Sequence, residues 1–237
     1  MKKFIVVIPC RLKSKRLKKK LIRKVNGKEI FLHTYEKCCL ATNKKNIYIA
    51  TDSSQIFILC KKKGINVIKT SKNKITGSDR IKEFSKKIKA ENYINVQGDE
   101  PIINPKNIKK VIQHTKKDNS KVYNCYAEIK QSEARKKSIP KVILNNNEEL
   151  IYMSRSIIPY NHLNSKIKYF KQVCIYSYPR TILNIFKNKK TKIEKNEDIE
   201  ILRLIENGIS VKMIKVKTNS FAIDTIQDFK KLKKTLR

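Results

Sequence analysis

The chain of 237 residues has no tryptophan, few glycines and no sulfur or imidazole pattern typical of a metal site. Its six cysteines include no Cys-x-x-Cys pair and its three histidines no His-Glu-x-x-His spacing, which argues against zinc. No apolar run could span a bilayer, and the stretch Phe4–Ile8 is too short for a signal peptide. Because most cysteines fall in apolar runs, we expect buried thiols in a reducing, cytoplasmic compartment.

Acidic residues are also scarce: 20 Asp and Glu face 56 Lys and Arg, a net charge of +36. Such a charge attracts polyanions, but lysine far outnumbers arginine and isoleucine and asparagine abound, as AT-rich codons would produce. The lysine clusters lack interleaved aromatics that would stack on bases, so we do not expect a nucleic-acid partner. Where lysine has replaced arginine freely, the few remaining arginines mark positions that need a planar, bidentate group.

Short apolar runs alternate with helical patterns over the first half of the chain. The run Phe4–Ile8 is apolar throughout, as in a parallel strand buried on both faces. Alternation of this kind predicts an α/β fold with a doubly wound, mostly parallel but mixed sheet. The further predicted strands are 46–50, 65–68 and 93–96, and the predicted helices are 29–41, 54–63, 79–90 and 106–117.

The middle of the chain is richer in strand patterns. Strands are predicted at 121–129, in a hairpin over 141–154 that turns at Asn145–Asn147, and at 173–178. No Pro/Gly/Ser linker brackets this region, so we interpret 130–180 as a β-rich extension of one domain covering 1–237. A helix at 194–207, a strand at 211–214 and a helix at 226–236 complete the expected pattern.

The run Tyr93–Pro101 places Asp99 on a glycine bend directly after a buried strand. In open α/β sheets the ligand crevice lies beyond the carboxyl ends of the strands, which favours a functional position for Asp99. A plain Asp-containing turn is the competing interpretation. Asp224 likewise ends a short apolar run, although an Asp or Thr at that point could simply cap the last helix.

The segment Pro9–Lys20 follows the first strand and therefore lies over the same sheet edge. It carries two arginines, several lysines and a hydroxyl but no glycine, so it is neither a Walker A loop nor a Rossmann loop. Its side chains offer the donors that a triphosphate requires. Two strand-end carboxylates facing such a loop suit Mg²⁺, which takes few protein ligands and completes its octahedron with phosphate and water.

Taken together, these motifs resemble those of the 3-deoxy-manno-octulosonate (KDO) cytidylyltransferases, over nearly the whole chain. The loop of arginines and the Gln97–Pro101 run are specific in combination. The matching positions are Ile8–Arg11 with Ser14, Arg16, Leu17 and Lys20; Asn26–Lys28; Ala50–Asp52; Thr76–Arg80; Asn95–Pro101; Ser154–Ser156 with Ile158–Tyr160; Ile175–Tyr178; Ile193, Glu194, Glu197, Glu200, Leu202 and Arg203; and Asp224–Thr225.

The resemblance implies a nucleotidyltransferase-like fold and an enzyme that activates KDO with CTP for lipopolysaccharide biosynthesis. It implies that Asp99, Lys20 and Arg16 are catalytic, that Mg²⁺ is the cofactor, and that the β-rich extension forms a homodimer. The implied nucleotide-binding residues are Arg11, Ser14, Arg16, Lys20, Arg80 and Gln97; the implied sugar-binding residues are Arg155, Gln172 and Glu200; the implied metal ligands are Asp99 and Asp224.

Several positions depart from the family pattern near the implied sugar site. Gln172 stands where a histidine is usual, and Ile201 where a glutamine is usual. Cys174 and Ser177 replace glycines, and Lys18 replaces a loop proline. These departures leave open a related reaction on another acidic sugar, such as a sialic-acid-like or amino-substituted analogue. The charge leaves open a polyanion-binding protein on a degenerate transferase scaffold.

Overall fold

The computed structural model describes residues 1–12, 14 and 16–236. Lys13 and Lys15 of the basic loop and the final Arg237 lie outside the described residues. The strands are β1 (Lys2–Cys10), β2 (Lys24–Val25), β3 (Lys28–Glu29), β4 (Ile47–Thr51), β5 (Val67–Lys69), β6 (Ala90–Val96), β7 (Val122–Ile129), β8 (Lys141–Leu144), β9 (Leu150–Ser154), β10 (Tyr169–Pro179) and β11 (Val211–Lys215). The helices are α1 (Ile30–Cys39), α2 (Ser54–Lys62), α3 (Gly77–Lys87), α4 (Pro105–Lys117), α5 (Gln131–Ala134), α6 (Lys192–Glu197), α7 (Leu202–Ile205) and α8 (Ile226–Thr235).

One mixed sheet organises the molecule, with its main path in the order β11-β7-β10-β6-β1-β4-β5. Strand β1 pairs in parallel with β4 and β6, β4 with β5, and β11 with β7. Strand β10 runs antiparallel to both β6 and β7. The predicted α/β class and mostly parallel, mixed sheet are therefore confirmed.

Helices cover both faces of this sheet, because alternate residues of its strands are buried against different clusters. On β1, Val6 and Ile8 pack in one core with residues of α1, α2, α4 and α8. Ile5 and Val7 pack in the other with residues of α3 and α7. Each fully buried aliphatic side chain of this kind stabilises the fold by about 1.5–3 kcal/mol. A strand buried on both faces explains the uninterrupted apolar run in the sequence.

Local capping signals in the sequence also appear in the structure. The side chain of Asn104 accepts a hydrogen bond from the Lys106 N–H at 2.9 Å, and Pro105 opens α4 without needing an N–H of its own. Gly64 and Gly208, which stand shortly after α2 and α7, have φ of 64° and 70°. These left-handed conformations are open to glycine at little steric cost.

The single helix predicted over 194–207 is wrong, because the chain forms α6 and α7 with a break at Asp198, where φ is 53°. The break brings the Arg203 side chain of α7 back onto α6. Its Nε lies 2.6 Å from Glu194 Oε2, and its Nη1 lies 2.8 Å from Asp79 Oδ1 on α3. All three side chains are buried, so this ion triad fixes both short helices against α3.

The β-rich region from 130 to 180 divides into two parts. Its last strand, β10, is not peripheral but lies within the main sheet between β6 and β7. The hairpin β8–β9 turns over Asn145–Glu149, where the Asn145 N–H donates to the Glu149 carbonyl at 2.9 Å. It joins the sheet through pairing of β8 with β10 and through an isolated bridge between Glu149 and Lys212 on β11. Across the residues that the structure describes, no helix combines the length and hydropathy needed to cross a membrane.

Candidate active site

Strands β1 and β6 end at the same edge of the sheet, because they pair in parallel with Val7 opposite Asn95. Gly98 follows β6 at a point where its backbone lies very close to the end of β1. A Cβ on Gly98 would lie 2.8 Å from Cys10 Sγ and 3.1 Å from the Pro9 carbonyl oxygen. Only glycine fits this contact without displacement, and it turns the backbone so that Asp99 stands at the strand ends.

The Lys20 ammonium links the two carboxylates that the sequence identified. Its Nζ donates to Asp99 Oδ2 and lies 2.9 Å from Asp224 Oδ1. Burial alone would lower the pKa of Lys20, but the two carboxylates raise it above its usual value. The ammonium is therefore charged at neutral pH, and one cation suffices to join Asp99 and Asp224.

Asp224 stands directly before α8 but does not cap it. Thr225 is the N-cap: its side chain accepts from the Asp228 N–H, and the Asp228 carboxylate accepts in return from the Thr225 N–H. The Asp224 carboxylate is therefore available to the site, and its other oxygen lies 2.8 Å from Arg16 Nη2. The capping interpretation of Asp224 is wrong for its side chain.

The chemistry of these donors fits a magnesium ion. Asp99 and Asp224 present hard oxygen ligands, and their side chains are 21% and 32% exposed, which leaves room for water or phosphate. Among the described residues, no cluster of three or more His, Cys, Asp or Glu side chains is arranged to hold a metal. Two carboxylates without softer ligands suit Mg²⁺ better than zinc.

A cleft of about 470 Å³ opens over this edge of the sheet. Its walls come from the end of β1, the start of α3, the end of β6 and the segment around α6. Of the described side chains that line it, four are basic and three are acidic. The lining residues are Pro9, Arg11, Lys20, Leu21, Ile75, Thr76, Gly77, Arg80, Gln97, Gly98, Asp99, Lys190, Asp198 and Glu200.

Of the expected nucleotide-binding residues, Arg11, Lys20, Arg80 and Gln97 line this cleft, whereas Ser14 and Arg16 do not. Arg11 is exposed at its edge, where Nη1 donates to the Ile75 carbonyl at 3.3 Å. Gln97 lies against α3, since a Cβ on Gly77 would come within 3.1 Å of its Nε2. Ser14 is half-buried in the loop and does not line the cleft. Arg16 joins the site by its ion pair with Asp224.

Arg80 lies beneath the cleft, with only 2% of its side chain exposed. Its Nη2 is 3.2 Å from Asp52 Oδ2, and its Nη1 donates to Thr70 Oγ1. The second oxygen of Asp52 accepts from the Leu12 N–H at 3.4 Å. Arg80 therefore contributes positive charge at the floor of the cleft while it anchors the start of the basic loop.

Glu200 caps the first turn of α3. Its carboxylate accepts from the Gly77 N–H at 3.0 Å, the Ser78 N–H at 2.9 Å and the Ser78 hydroxyl at 2.7 Å. A negative charge at a helix N-terminus is favourable. Tyr178 Oη lies 3.0 Å from the same hydroxyl. Glu200 thus lines the cleft, as expected of a sugar-binding residue, while three of its acceptor positions are already used.

Arg155 and Gln172 are not among the residues that line the cleft. The guanidinium of Arg155 donates to backbone carbonyls, with Nε 2.7 Å from the Glu197 oxygen and Nη2 3.1 Å from the Asp198 oxygen. Gln172 is buried on β10, where Nε2 donates to Asn124 Oδ1 at 3.1 Å. Arg155 therefore supports the cleft indirectly, through the backbone of Asp198, whereas Gln172 is held within the sheet by Asn124.

Some residues of the site were not assigned a role from the sequence. Asp52 anchors Arg80, and Lys190 and Asp198 line the cleft and pair with each other. Asp52 belonged to a recognised motif, and its place after β4 at the same sheet edge could have identified it. Lys190 and Asp198 lie in an irregular segment whose lysine-rich sequence gives no such signal.

An α/β sheet with one carboxylate after a strand and a second just before the last helix, both beside a glycine-free basic loop, defines the class: a nucleotidyltransferase. Residues 5–216 match the family described as Cytidylyltransferase. The chain is 35% identical to a 3-deoxy-manno-octulosonate cytidylyltransferase of Elusimicrobium minutum, with 98% of each chain covered. It is 33% identical to the enzyme of that name from Escherichia coli, covering 95% of this chain and 92% of the other.

Comparison of structures gives the same result. A CMP:2-keto-3-deoxy-manno-octonic acid synthetase complexed with CTP is 31% identical, with a TM-score of 0.92 over 99% of this chain and 98% of the other. A cytidylyltransferase from Leptospira borgpetersenii shares the fold alone, with 14% identity and a TM-score of 0.64 over 98% of this chain and 86% of the other. The chain belongs to the cytidylyltransferase family, among the 3-deoxy-manno-octulosonate cytidylyltransferases.

Proposed function

We propose that this protein transfers a cytidylyl group from CTP to KDO, giving CMP-KDO and pyrophosphate. The observation that carries the proposal is the pairing of Asp99 with Asp224 through Lys20, beside a cleft that Lys20, Asp99 and Arg80 line. The relatives named for this reaction match the chain over nearly its full length. We place the reaction in lipopolysaccharide biosynthesis and, because the cysteines are free thiols, in the cytoplasm.

In this reaction the anomeric hydroxyl oxygen of KDO attacks the α-phosphorus of CTP. The new O–P bond forms as the bond from the α-phosphorus to the bridging oxygen breaks, and pyrophosphate leaves with that electron pair. The hydroxyl proton passes to solvent. In the described part of the chain no histidine lines the cleft, so the proposal assigns no side-chain base of that type.

Catalysis then consists of positioning and charge neutralisation. Arg11, Arg16 and Lys20 would bind the phosphate oxygens, since guanidinium and ammonium donors make the strongest hydrogen bonds to such anions. Arg80 and Gln97 would hold the nucleotide from the floor and the α3 side. Asp99 and Asp224 would hold Mg²⁺, which when bound neutralises phosphate charge and lowers the pKa of the attacking hydroxyl.

For the sugar, Glu200 is the expected residue that reaches the cleft directly. Arg155 would reach a sugar carboxylate only by giving up its contacts to the carbonyls of Glu197 and Asp198. Gln172 and Ile201 depart from the family pattern and are both buried, so they would influence the choice of sugar only indirectly. A cytidylyltransferase acting on another acidic sugar is therefore the second candidate.

Pyrophosphate release, measured with each of four nucleoside triphosphates and a panel of 2-keto sugar acids, tests the proposal. We expect turnover with CTP and KDO and at least tenfold less with other pairs. Preference for a sialic-acid-like or amino-substituted sugar would favour the second candidate. Salt-sensitive RNA binding without turnover of any nucleotide would instead favour a polyanion-binding protein.

We further propose a homodimer formed through the β-rich extension. Apolar side chains are exposed on β9 and the loop that follows it: Ile151 is 51%, Tyr160 84% and Leu163 81% exposed. Exposed apolar groups concentrated in one region are typical of a protein interface. A second copy of the chain is the partner that would cover these side chains. Sedimentation velocity measures the oligomeric state and so tests the dimer.

A further inference from the structure

Glu100 is a buried carboxyl with no place in the cleft. It follows Asp99 at the end of β6 and is 6% exposed. Burial raises the pKa of Glu100 to about 7, against the hydrogen bond from Ser220, which lowers it. Burying a carboxyl beside another acidic residue is unfavourable, so the contacts that Glu100 makes call for an explanation.

The partner of Glu100 is the irregular segment 216–225, which connects β11 to α8 and carries Asp224 next to its last residue. The Ser220 hydroxyl donates to Glu100 Oε2. The Ser220 carbonyl oxygen accepts from Lys171 Nζ on β10 at 3.1 Å. Ser220 is itself only 6% exposed, and two side chains hold it in place, Glu100 from the turn after β6 and Lys171 from β10.

A second bond ties the same segment to the same strand end. The Ile223 N–H donates to the Asp99 carbonyl oxygen at 2.9 Å, one residue before Asp224. Segment 216–225 has no strand or helix of its own in the described chain, so these bonds replace a regular ladder. Asp99 and Glu100 thus hold, from neighbouring positions, the chain that supplies the second carboxylate.

We propose that Glu100 is a positioning residue: its hydrogen bond with Ser220 sets Asp224 opposite Asp99, so that the site for a divalent cation is built before the cation binds. The inference rests on the cation site of the proposed function. Glu100 would neither coordinate the cation nor touch a substrate. Its role is to reduce the freedom of a segment that would otherwise have to be ordered when the cation arrives.

The test measures Mn²⁺ affinity without nucleotide, by isothermal titration calorimetry, in wild type, Glu100→Gln, Glu100→Ala and Ser220→Ala. Glutamine retains an oxygen that accepts from Ser220, whereas alanine does not. We expect Glu100→Ala and Ser220→Ala to weaken Mn²⁺ binding about 10- to 100-fold, the range typical of groups that orient metal ligands. Glu100→Gln should stay within about threefold of wild type, and the double alanine variant should lose little more than either single one.

Thermal unfolding shows which variants fold. If Glu100→Ala does not fold, Ser220→Ala still tests the same hydrogen bond. Wild-type Mn²⁺ affinity in Ser220→Ala would overturn the inference. A Glu100→Gln variant as weak as Glu100→Ala would also overturn it, because the charge rather than the hydrogen bond would then matter. If wild type binds no Mn²⁺, or Asp99→Asn binds it equally well, the proposed cation site itself fails and the inference fails with it.

Discussion

Lys20 Nζ lies 2.9 Å from Asp224 Oδ1, although 204 positions of the chain separate the two residues. The same ammonium donates to Asp99. The loop after β1, the end of β6 and the start of α8 therefore meet at a single charge. A residue expected to bind phosphate therefore contacts both expected metal ligands.

Replacing Asp99 by Asn should abolish most turnover while leaving the fold intact. Asparagine fills the same space at the strand end but removes the charge that would hold Mg²⁺. We expect pyrophosphate release to fall by about 100-fold or more, a loss of about 2.7 kcal/mol in transition-state stabilisation or greater. Glu128→Gln is the matched control, since Glu128 is 47% exposed on β7. Full activity in Asp99→Asn would contradict the metal assignment.

Replacing Lys20 by Met should move nucleotide and metal affinity in opposite directions. The ammonium would no longer grip phosphate, and a charge-assisted hydrogen bond of about 1.5–3 kcal/mol corresponds to roughly a 10- to 100-fold weaker CTP affinity. Without CTP, Mn²⁺ should bind more tightly, because no cation competes for Asp99 and Asp224. Calorimetric titrations with each ligand check both directions, and weaker Mn²⁺ binding would refute the competition.

Replacing Gly98 by Ala should destabilise the protein by about 1–3 kcal/mol, the usual cost of overpacking. The new methyl group would meet the Pro9 carbonyl oxygen at 3.1 Å as well as Cys10 Sγ at 2.8 Å. Gly77→Ala is the control, because its nearest neighbour is the end of the flexible Gln97 side chain at 3.1 Å. Urea unfolding compares the two, and equal losses would argue against the close approach of β1 and β6.

Acid should destabilise the buried triad of Arg203, Asp79 and Glu194. Burial alone would raise the pKa of Asp79, but hydrogen bonds from Arg203 and Thr76 lower it below the usual 3.8. The ionised form therefore stabilises the fold above pH 3.8, and this contribution is lost as the pH falls through the folded-state pKa. Asp79→Asn should be less stable at pH 7 by about 3–5 kcal/mol.

Below pH 3.8, the stability of Asp79→Asn should also change less with pH than the stability of wild type does. Urea unfolding at pH 7 and at several acidic values measures both effects. Glu128→Gln again serves as a carboxylate control outside the triad. Parallel pH profiles for wild type and Asp79→Asn would show that another group carries the acid sensitivity.

Charged substitutions in the extension should separate the proposed dimer. Tyr160→Glu and Leu163→Glu place a carboxylate on side chains that are 84% and 81% exposed. We expect each variant to sediment as a monomer at concentrations where wild type is dimeric. Leu40→Glu is the control, since Leu40 is 62% exposed at the end of α1, far from the extension in sequence. An unchanged dimer in the first two variants would move the interface elsewhere.

Local sequence patterns predicted most helices and strands, because each depends on apolar spacing within a few residues. The helix predicted at 106–117 and the observed α4 at Pro105–Lys117 agree for this reason. The break at Asp198 was not predictable in the same way, since it depends on Arg203 meeting Asp79 on a distant helix. The place of β10 between β6 and β7 likewise depends on pairing between distant segments.

The residues of the site, like the elements of the fold, include some that the sequence could predict and some that it could not. Asp99, Lys20 and Asp224 could be found from the sequence, because the end of each strand or loop shows which edge of the sheet it reaches. The partners of Arg155 and Glu200 could not, because these side chains pair with the carbonyls of Glu197 and Asp198 and with the first turn of α3. Which backbone groups remain unpaired is decided only when the helices pack.

The cleft is nearly neutral, although the chain as a whole is strongly positive. Among the residues that the structure describes, four basic and three acidic ones line it, a formal balance of +1 in a chain of +36. Salt screens a diffuse surface field far more than contacts inside a partly buried cleft. The lysine-rich exterior can therefore change with genome composition while the cleft keeps its own local potential, and selection on the chemistry need not oppose the drift of the surface.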